Sequence, residues 1–378
     1  MSDKAPTLVE LRDELDKVNK ELLSSAAKRL EIVKEIHLAK QREGKALFDP
    51  KREREVFEKS TQTAKALGLD EQTAKDLTAV LIEAAQRVQE ESTYQGVGDA
   101  ASEKVNFLIV GGNGRMGKMF SDVFQARGHR VDVIDKGQEI TSEKVSAADV
   151  VMLAVSMDKA VEVAKEVSPL VREDALLCDI NSLKKDICEE MAKGCNGQVL
   201  GMHPMFGPTK SLRRQKVVLC SVKDGARAEW FISELGKLGC EFVVAEPEVH
   251  DNAMAIIQVL MHFHTMVMGE ALKRSGTKLE ETLPFVSPVY RLELALVGRL
   301  FAQDPGLYAE IEMANPKGDA LREEFIKAAS DLHELLKAKD KKGFSESFEA
   351  VGDYFKNFSQ EAVSLSNDLI DTVVKKAP

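Results

Sequence analysis

The chain has 378 residues, enough for two or three domains, and its 44% apolar and 30% charged residues are the ordinary balance of a soluble globular protein. A net charge of −10 with a pI near 5.4 argues against a nucleic-acid partner, because a phosphate-backbone binder needs a basic surface. Small anions stay open, since local cation clusters can hold them against the net charge. The five cysteines, Cys178, Cys188, Cys195, Cys220 and Cys240, are scattered, with neither a Cys-x-x-Cys pair nor zinc spacing. They point to reduced thiols in the cytoplasm and to no metal site. The N-terminus, MSDKAPTLVELRDELD, is too charged for a secretion signal. The most apolar helical stretch, 253–269, is interrupted by Gln258, His262 and His264, so no membrane span is expected.

Residues 8–92 carry helical periodicity with breaks at EGKALFDPKRE (43–53) and LGLDE (67–71), which predicts three helices. A bundle this small buries little core alone, so intertwined dimerisation is expected. Leu8, Leu11, Leu15, Val18 and Leu22 form one stripe, continued by Val33 and Ile36, and Arg29 and Lys40 fall on that stripe. Cations on a buried helix face need an anion. Nearby acids can supply it, or the side chains can snorkel outward, or a ligand can bind. Arg12 lies off the stripe, where it can reach a neighbouring subunit. Together with Arg52, Glu53 and Gln89, these residues suit a small dianion, gripped by guanidinium forks. Such a site orients a substrate and stabilises developing charge without proton transfer.

After a small, polar linker at 93–104, short apolar runs (NFLIV, VDVI, VVMLAV, LLCDI, VLGM, VVLC, EFVV) alternate with helical or loop stretches up to 247. That pattern predicts a mostly parallel, doubly wound sheet. NFLIVGGNGRMGKMF (106–120) places Gly112, Gly114 and Gly117 in G-x-G-x-x-G spacing between a strand and a helix. In this reading Gly112 makes the tight turn, Gly114 admits a pyrophosphate and Gly117 lets helix pack on strand. Asp135 ends the second strand, where a carboxylate bonds ribose hydroxyls and favours NAD over NADP. A plain glycine turn in another α/β domain is the alternative. VLGMHPMFGP (199–208) sets His203 at a strand end beside two prolines. The ring either caps the strand or serves as a general acid/base. Ligands of such sheets sit beyond the strands' carboxyl ends, so Ser182, Lys184 and His203 are candidates to face the nicotinamide. From 248 to 378 the chain is helical again and is expected to pack on the sheet domain and on a second copy of itself.

The motifs LGMHPMFGP (200–208), SPVYRLELALVGRLFAQDP (287–305) and VGGNGRMG (110–117), with looser matches at LRDELDKVNKELL, AKRLEIV and DPKRERE, resemble the bifunctional T-protein family of tyrosine biosynthesis, a chorismate mutase fused to a prephenate dehydrogenase. The resemblance runs over nearly the whole chain. It implies a multidomain protein: an all-α mutase domain (1–92), the linker (93–104), an α/β Rossmann-type NAD domain (105–247), and an all-α substrate and dimerisation domain (248–378). In the mutase it implies carboxylate contacts from Arg12, Arg29 and Arg52, ether-oxygen contacts from Lys40 and Gln89, and ring-hydroxyl contacts from Glu53 with Asp49. In the dehydrogenase it implies His203 as the base, Arg299 on the ring carboxylate, and Arg291, Ser182, Lys184, His250 and His262 around the substrate. Cofactor contacts would come from Gly112, Gly114, Arg115, Met116, Gly117 and Asp135. A homodimer acting on chorismate and prephenate, inhibited by tyrosine, completes the implication. His250 and His262 read equally as packed structural histidines, and Arg291 and Arg299 as a solvated face. The rival is a monofunctional NAD-dependent prephenate or arogenate dehydrogenase with N-terminal helices that only dimerise or regulate.

Overall fold

Among the described residues, three long helices precede a wound sheet, and helices alone follow it. The computed structural model describes residues 6–43, 50–94 and 103–376, so Asp49 lies outside the described residues. The chain divides into two compact units. The first comprises Met1–Val155, Ala160–Asn181 and Ile187–Ala245; the second comprises Ser156–Lys159, Ser182–Asp186 and Glu246–Pro378.

The first unit opens with α1 (Leu8–Arg42), α2 (Pro50–Ala66) and α3 (Glu71–Tyr94), the three helices that the periodicity predicts; of the expected break at 43–53, residues 44–49 lie outside the described residues and 50–53 already belong to α2. Thr78, Ala64, Ala74, Ala85 and Val33 are buried among them. The apolar stripe behaves differently along α1. Leu8, Leu11, Leu15, Val18 and Leu22 are all exposed in the single chain, Leu22 by 63%. Farther along, Val33 is buried and Arg29 reaches α3, but Ile36 on the same stripe is again exposed.

All seven apolar runs form strands: β1 (Asn106–Val110), β2 (Arg130–Ile134), β3 (Val150–Leu153), β4 (Leu176–Asp179), β5 (Gln198–Pro204), β6 (Lys216–Lys223) and β7 (Glu241–Val244). Between them lie α4 (Arg115–Ala126), α5 (Ser142–Ala147), α6 (Met157–Val167), α7 (Lys185–Gly194) and α8 (Ala226–Lys237). The sheet order is β2-β1-β3-β4-β5-β6-β7, and every pair is parallel except β5–β6, which is antiparallel. The order reverses between β1 and β3, the place where open α/β sheets bind ligands at their carboxyl ends. Side chains alternate across the sheet. Phe107 and Ile109 join Met152, Cys178, Leu200 and Phe124 on one face, while Leu108 and Val110 join Val151, Leu153, Leu177 and Val199 on the other. Each such buried aliphatic or aromatic side chain contributes roughly 1.5–3 kcal/mol. All five cysteines are free and buried, and burial pushes the Cys240 thiol up to about 12.

The second unit contains α9 (Pro247–Met254), a π-helical turn at Ala255–Leu260, α10 (Met261–Arg274), α11 (Leu279–Thr282), α12 (Pro288–Phe301), α13 (Pro305–Ala314), α14 (Gly318–Lys337), α15 (Lys341–Phe355) and α16 (Ser359–Lys376). Ser287-Pro288 and Asp304-Pro305 start α12 and α13: each cap side chain accepts a backbone N–H, at 3.2 Å and 2.8 Å, and each proline supplies a preset first-turn φ. The run Pro247–Arg274 is long and apolar enough by length and composition to cross a membrane, with a mean hydropathy of 1.3 over its most apolar stretch. It is also the stretch that carries Gln258, His262 and His264.

Candidate functional site

The glycine loop is built by steric necessity. Gly111 has φ +87, and a Cβ there would sit 2.5 Å from the Ala154 carbonyl oxygen at the end of β3. The tight turn therefore falls on Gly111, one residue before the G-x-G-x-x-G motif, and not on Gly112 as the spacing predicts. At Gly112 a Cβ would meet the Val133 methyls of β2 at 2.6 and 2.8 Å, so that glycine serves close strand packing. At Gly117 it would meet the Gly111 carbonyl at 2.5 Å, which is the expected approach of helix to turn. The doublet Gly111-Gly112 was the available signal for the correction. Gly114 caps α4 with no side-chain hydrogen bond, leaving first-turn N–H groups open. Asp135 turns toward the same loop and accepts the Asn113 N–H at 2.8 Å and that of Lys136 at 2.7 Å. Arg115 is exposed, and Met116 packs against the sheet core, so its backbone is the part that faces the loop. Open amides, a cradle that Cβ atoms would fill and a carboxylate beside it fit a dinucleotide.

His203 lies on the same carboxyl edge, three strands from β1, a separation of about 14 Å along the hydrogen-bonding direction. Its ring is 3% exposed. The strand does not stop at His203. Pro204 still pairs with Val217, His203 pairs with Val218, and the Met205 N–H donates to the Lys216 carbonyl at 2.9 Å. The histidine backbone is thus clamped by an antiparallel ladder, and the prolines add to a constraint that the sheet already imposes.

Within the second unit, Asp251 of α9 organises the segment that carries Ser182 and Lys184. Its carboxylate accepts the backbone N–H groups of Lys184 at 2.8 Å and Lys185 at 2.9 Å, capping α7 from a distance, and it pairs with His250 Nδ1 at 2.7 Å. Burial pushes the Asp251 carboxyl up, but the hydrogen bonds from His250, Lys185 and Lys184 outweigh it and hold it below the ordinary carboxylate value. Lys184 is fully buried, and Ser182 is half-buried in the turn before α7. Sequence reasoning missed Asp251, because its role depends on contacts 66 and 67 residues away. His262 stacks edge-on against Tyr308 at 4.9 Å, and its Nδ1 lies 4.0 Å from Glu312 Oε1. Burial lowers the His262 imidazole and raises the Glu312 carboxyl, against the opposing Arg322. Arg291 and Arg299 are exposed on α12.

In the N-terminal helices, Arg29 Nη1 donates to the Leu81 carbonyl of α3 at 2.6 Å, tying α1 to α3. Glu53 accepts from Gln86 Nε2 at 2.6 Å and lies 3.6 Å from Arg213 Nη2. Lys40 and Gln89 are half-buried, whereas Arg52 is exposed and pairs with Glu55 at 2.9 Å. Arg12 does not join them. It is exposed and sits 28 residues before Lys40 on the same helix, about 42 Å along its axis.

Two outcomes test this geometry. Gly111→Ala forces a left-handed alanine against a carbonyl, a strain of roughly 1–3 kcal/mol or more. It should lower Tm and weaken dinucleotide binding by calorimetry; unchanged values would contradict the close approach. Asp251→Asn should lower stability at pH 7 by roughly 1–3 kcal/mol. Because the folded-state value is depressed, that advantage is present above about pH 4 and fades as the pH falls through the lowered value. Denaturant curves at pH 7 and pH 3 read it, and a difference that stays constant with pH would refute it.

Residues 11–90 match chorismate mutase type II, 117–237 the prephenate dehydrogenase nucleotide-binding domain, and 246–350 the prephenate dehydrogenase dimerization domain. The T-protein of Enterobacter agglomerans is 36% identical over 375 residues, covering 97% of this chain and 98% of its own. The T-protein of Haemophilus influenzae is 30% identical over 365 residues, covering 96% of each. Among solved structures, prephenate dehydrogenase from A. aeolicus in complex with hydroxyphenyl propionate and NAD+ aligns with 68% of this chain and 99% of its own, at 20% identity and a TM-score of 0.53. Synechocystis arogenate dehydrogenase aligns with 67% of this chain and 99% of its own, at 17% identity and a TM-score of 0.52. At such identities these two structures speak for the fold of the sheet and the helices that follow it. The mutase helices, the wound sheet and the C-terminal helices therefore stand in the order of one family, and the chain belongs to the bifunctional T-proteins, which join a chorismate mutase to a prephenate dehydrogenase.

Proposed function

We propose that the chain converts chorismate to prephenate on its N-terminal helices and then oxidises prephenate to 4-hydroxyphenylpyruvate, with His203 as the base of the second reaction. The observation that carries this reading is the buried, ladder-clamped imidazole on the same sheet edge as the glycine loop. The Gly111–Gly117 loop, the first turn of α4 and Asp135 would hold NAD, which would supply the hydride acceptor for the hydroxyl-bearing ring carbon. His203 takes the hydroxyl proton as that carbon becomes electron-poor, pushing electron density toward it. Arg299 holds the ring carboxylate until it leaves as carbon dioxide, Arg291 supports the pocket, and Ser182, Lys184, His250 and His262 position the substrate. Aromatisation makes the decarboxylation irreversible.

In the mutase, no proton moves. Arg29 and Arg52 orient the carboxylates, Lys40 and Gln89 meet the ether oxygen where negative charge grows, and Glu53 addresses the ring hydroxyl. Arg12 serves the site of a second copy, which is what its axial distance from Lys40 requires. The exposed stripe Leu8–Leu22 and the apolar run Pro247–Arg274 supply faces for a homodimer. The protein acts in the cytoplasm, and free tyrosine is its feedback inhibitor.

Purified protein given chorismate and NAD should produce 4-hydroxyphenylpyruvate and NADH in equal amounts, and should turn over prephenate faster than arogenate. Formation of no prephenate, or oxidation of arogenate alone, would overturn the reading. His203→Asn should lose roughly 10²–10⁴-fold in the dehydrogenase kcat while NAD binding and mutase turnover persist; normal prephenate oxidation would remove His203 from its role. Lys40→Ala should abolish the mutase and spare the dehydrogenase, as read by chorismate loss and NADH formation from prephenate.

A further inference from the structure

An arginine from the dehydrogenase half reaches the mutase helices. Glu53 stands in the first turn of α2, with its side chain 28% exposed. Its Oε1 accepts from Gln86 Nε2 at 2.6 Å and lies 3.6 Å from Nη2 of Arg213, a side chain only 12% exposed. Arg214 Nη2 lies 3.9 Å from Oε2, and among the described residues Oε2 accepts no hydrogen bond. Oε1 is thus taken up by the protein, and Oε2 is the oxygen left for a ligand's donor. The mount of Arg213 is stiff. It lies between β5 and β6, the strands whose pairing clamps His203. Leu212 is buried in the sheet core, the Arg213 N–H donates to Ser211 Oγ at 3.2 Å, and the Gln215 N–H donates to the Leu212 carbonyl at 3.1 Å. Arg214 holds a left-handed φ of 56, which a non-glycine residue keeps only where its surroundings impose it, and its N–H donates to the Gly239 carbonyl at 2.8 Å. A glutamate free in solvent samples several rotamers, whereas a mostly buried ion pair and an amide hold this one in one place.

We propose that Arg213 is a positioning residue of the mutase, contributed by the dehydrogenase half: with Gln86 it fixes the Glu53 carboxylate so that Oε2 accepts the ring hydroxyl of chorismate. The assignment rests on the reading of Glu53 as the hydroxyl's partner. Arg213 touches no reacting atom and moves no proton; it acts through Glu53. The N-terminal helices without the sheet domain would lack this support.

The probes are a bicyclic ether dicarboxylate shaped like the rearrangement's transition state, which carries the ring hydroxyl, and its deoxy analogue, each titrated calorimetrically into the full-length protein. The wild-type protein should bind the hydroxylated probe roughly 10- to 100-fold more tightly, the scale of one hydrogen bond to a charged group, and Glu53→Ala should lose that preference. Arg213→Ala should lose most of the preference while binding the deoxy probe as the wild type does. Arg213→Lys, which keeps the charge, should recover part of it. If Arg213→Ala does not fold, Arg213→Gln, neutral and nearly as long, is read in the same way. A neutral Arg213 variant that keeps the full preference, or that weakens both probes alike, overturns the proposal; the second result would mark Arg213 as a tether between the two halves. If Glu53→Ala keeps the wild-type preference, the Glu53 reading fails and the assignment falls with it.

Discussion

The close approach of the β1 turn to the end of β3 is the constraint on which the dehydrogenase half depends. Gly111 donates its N–H to the Ile134 carbonyl at 2.8 Å, and Ala154 donates to Val110 at 2.7 Å, so three parallel strands terminate together. A side chain at Gly111 would strike the Ala154 carbonyl, and one at Gly117 would strike the Gly111 carbonyl. The turn, the helix that follows and the strand beside it can therefore close only through glycine. That closure aims the N-terminus of α4 into the crevice where the strand order reverses. The parallel register of β3, β4 and β5 then carries the same edge across to His203.

Much of this was legible in the sequence because it depends on local pattern. Seven apolar runs became seven strands, and the break at 67–71 separates α2 from α3. The residues that were not legible act through distant partners. Asp251 looks like an ordinary acid beside a histidine until the α7 backbone is seen to donate to it. The misplacement of the tight turn has a similar origin: the spacing rule names the first glycine of the motif, whereas backbone φ and the nearness of Ala154 select the glycine before it. The prolines beside His203 are visible in the sequence, but the stronger constraint on it is pairing with β6, which begins 12 residues after Pro204.

The N-terminal helices pose a different physical problem. A 35-residue helix whose first half exposes Leu8, Leu11, Leu15, Val18 and Leu22 is not a finished structure in one chain. Apolar surface of that extent drives association. The cations on α1 divide in the same way, with Arg29 and Lys40 turned inward and Arg12 far along the axis. Under the proposed function, oligomerisation and the completeness of the mutase site become one question, since an association that covered the leucines would also bring Arg12 of one copy to the site of the other.

The proton-accepting role of His203 is tested most directly by a crystal structure of the complex with NAD and 4-hydroxyphenylpropionate. The account requires an imidazole nitrogen of His203 at about 2.6–3.2 Å from the ring hydroxyl. A ring turned away from that oxygen, with another side chain holding it, would contradict the account at its centre.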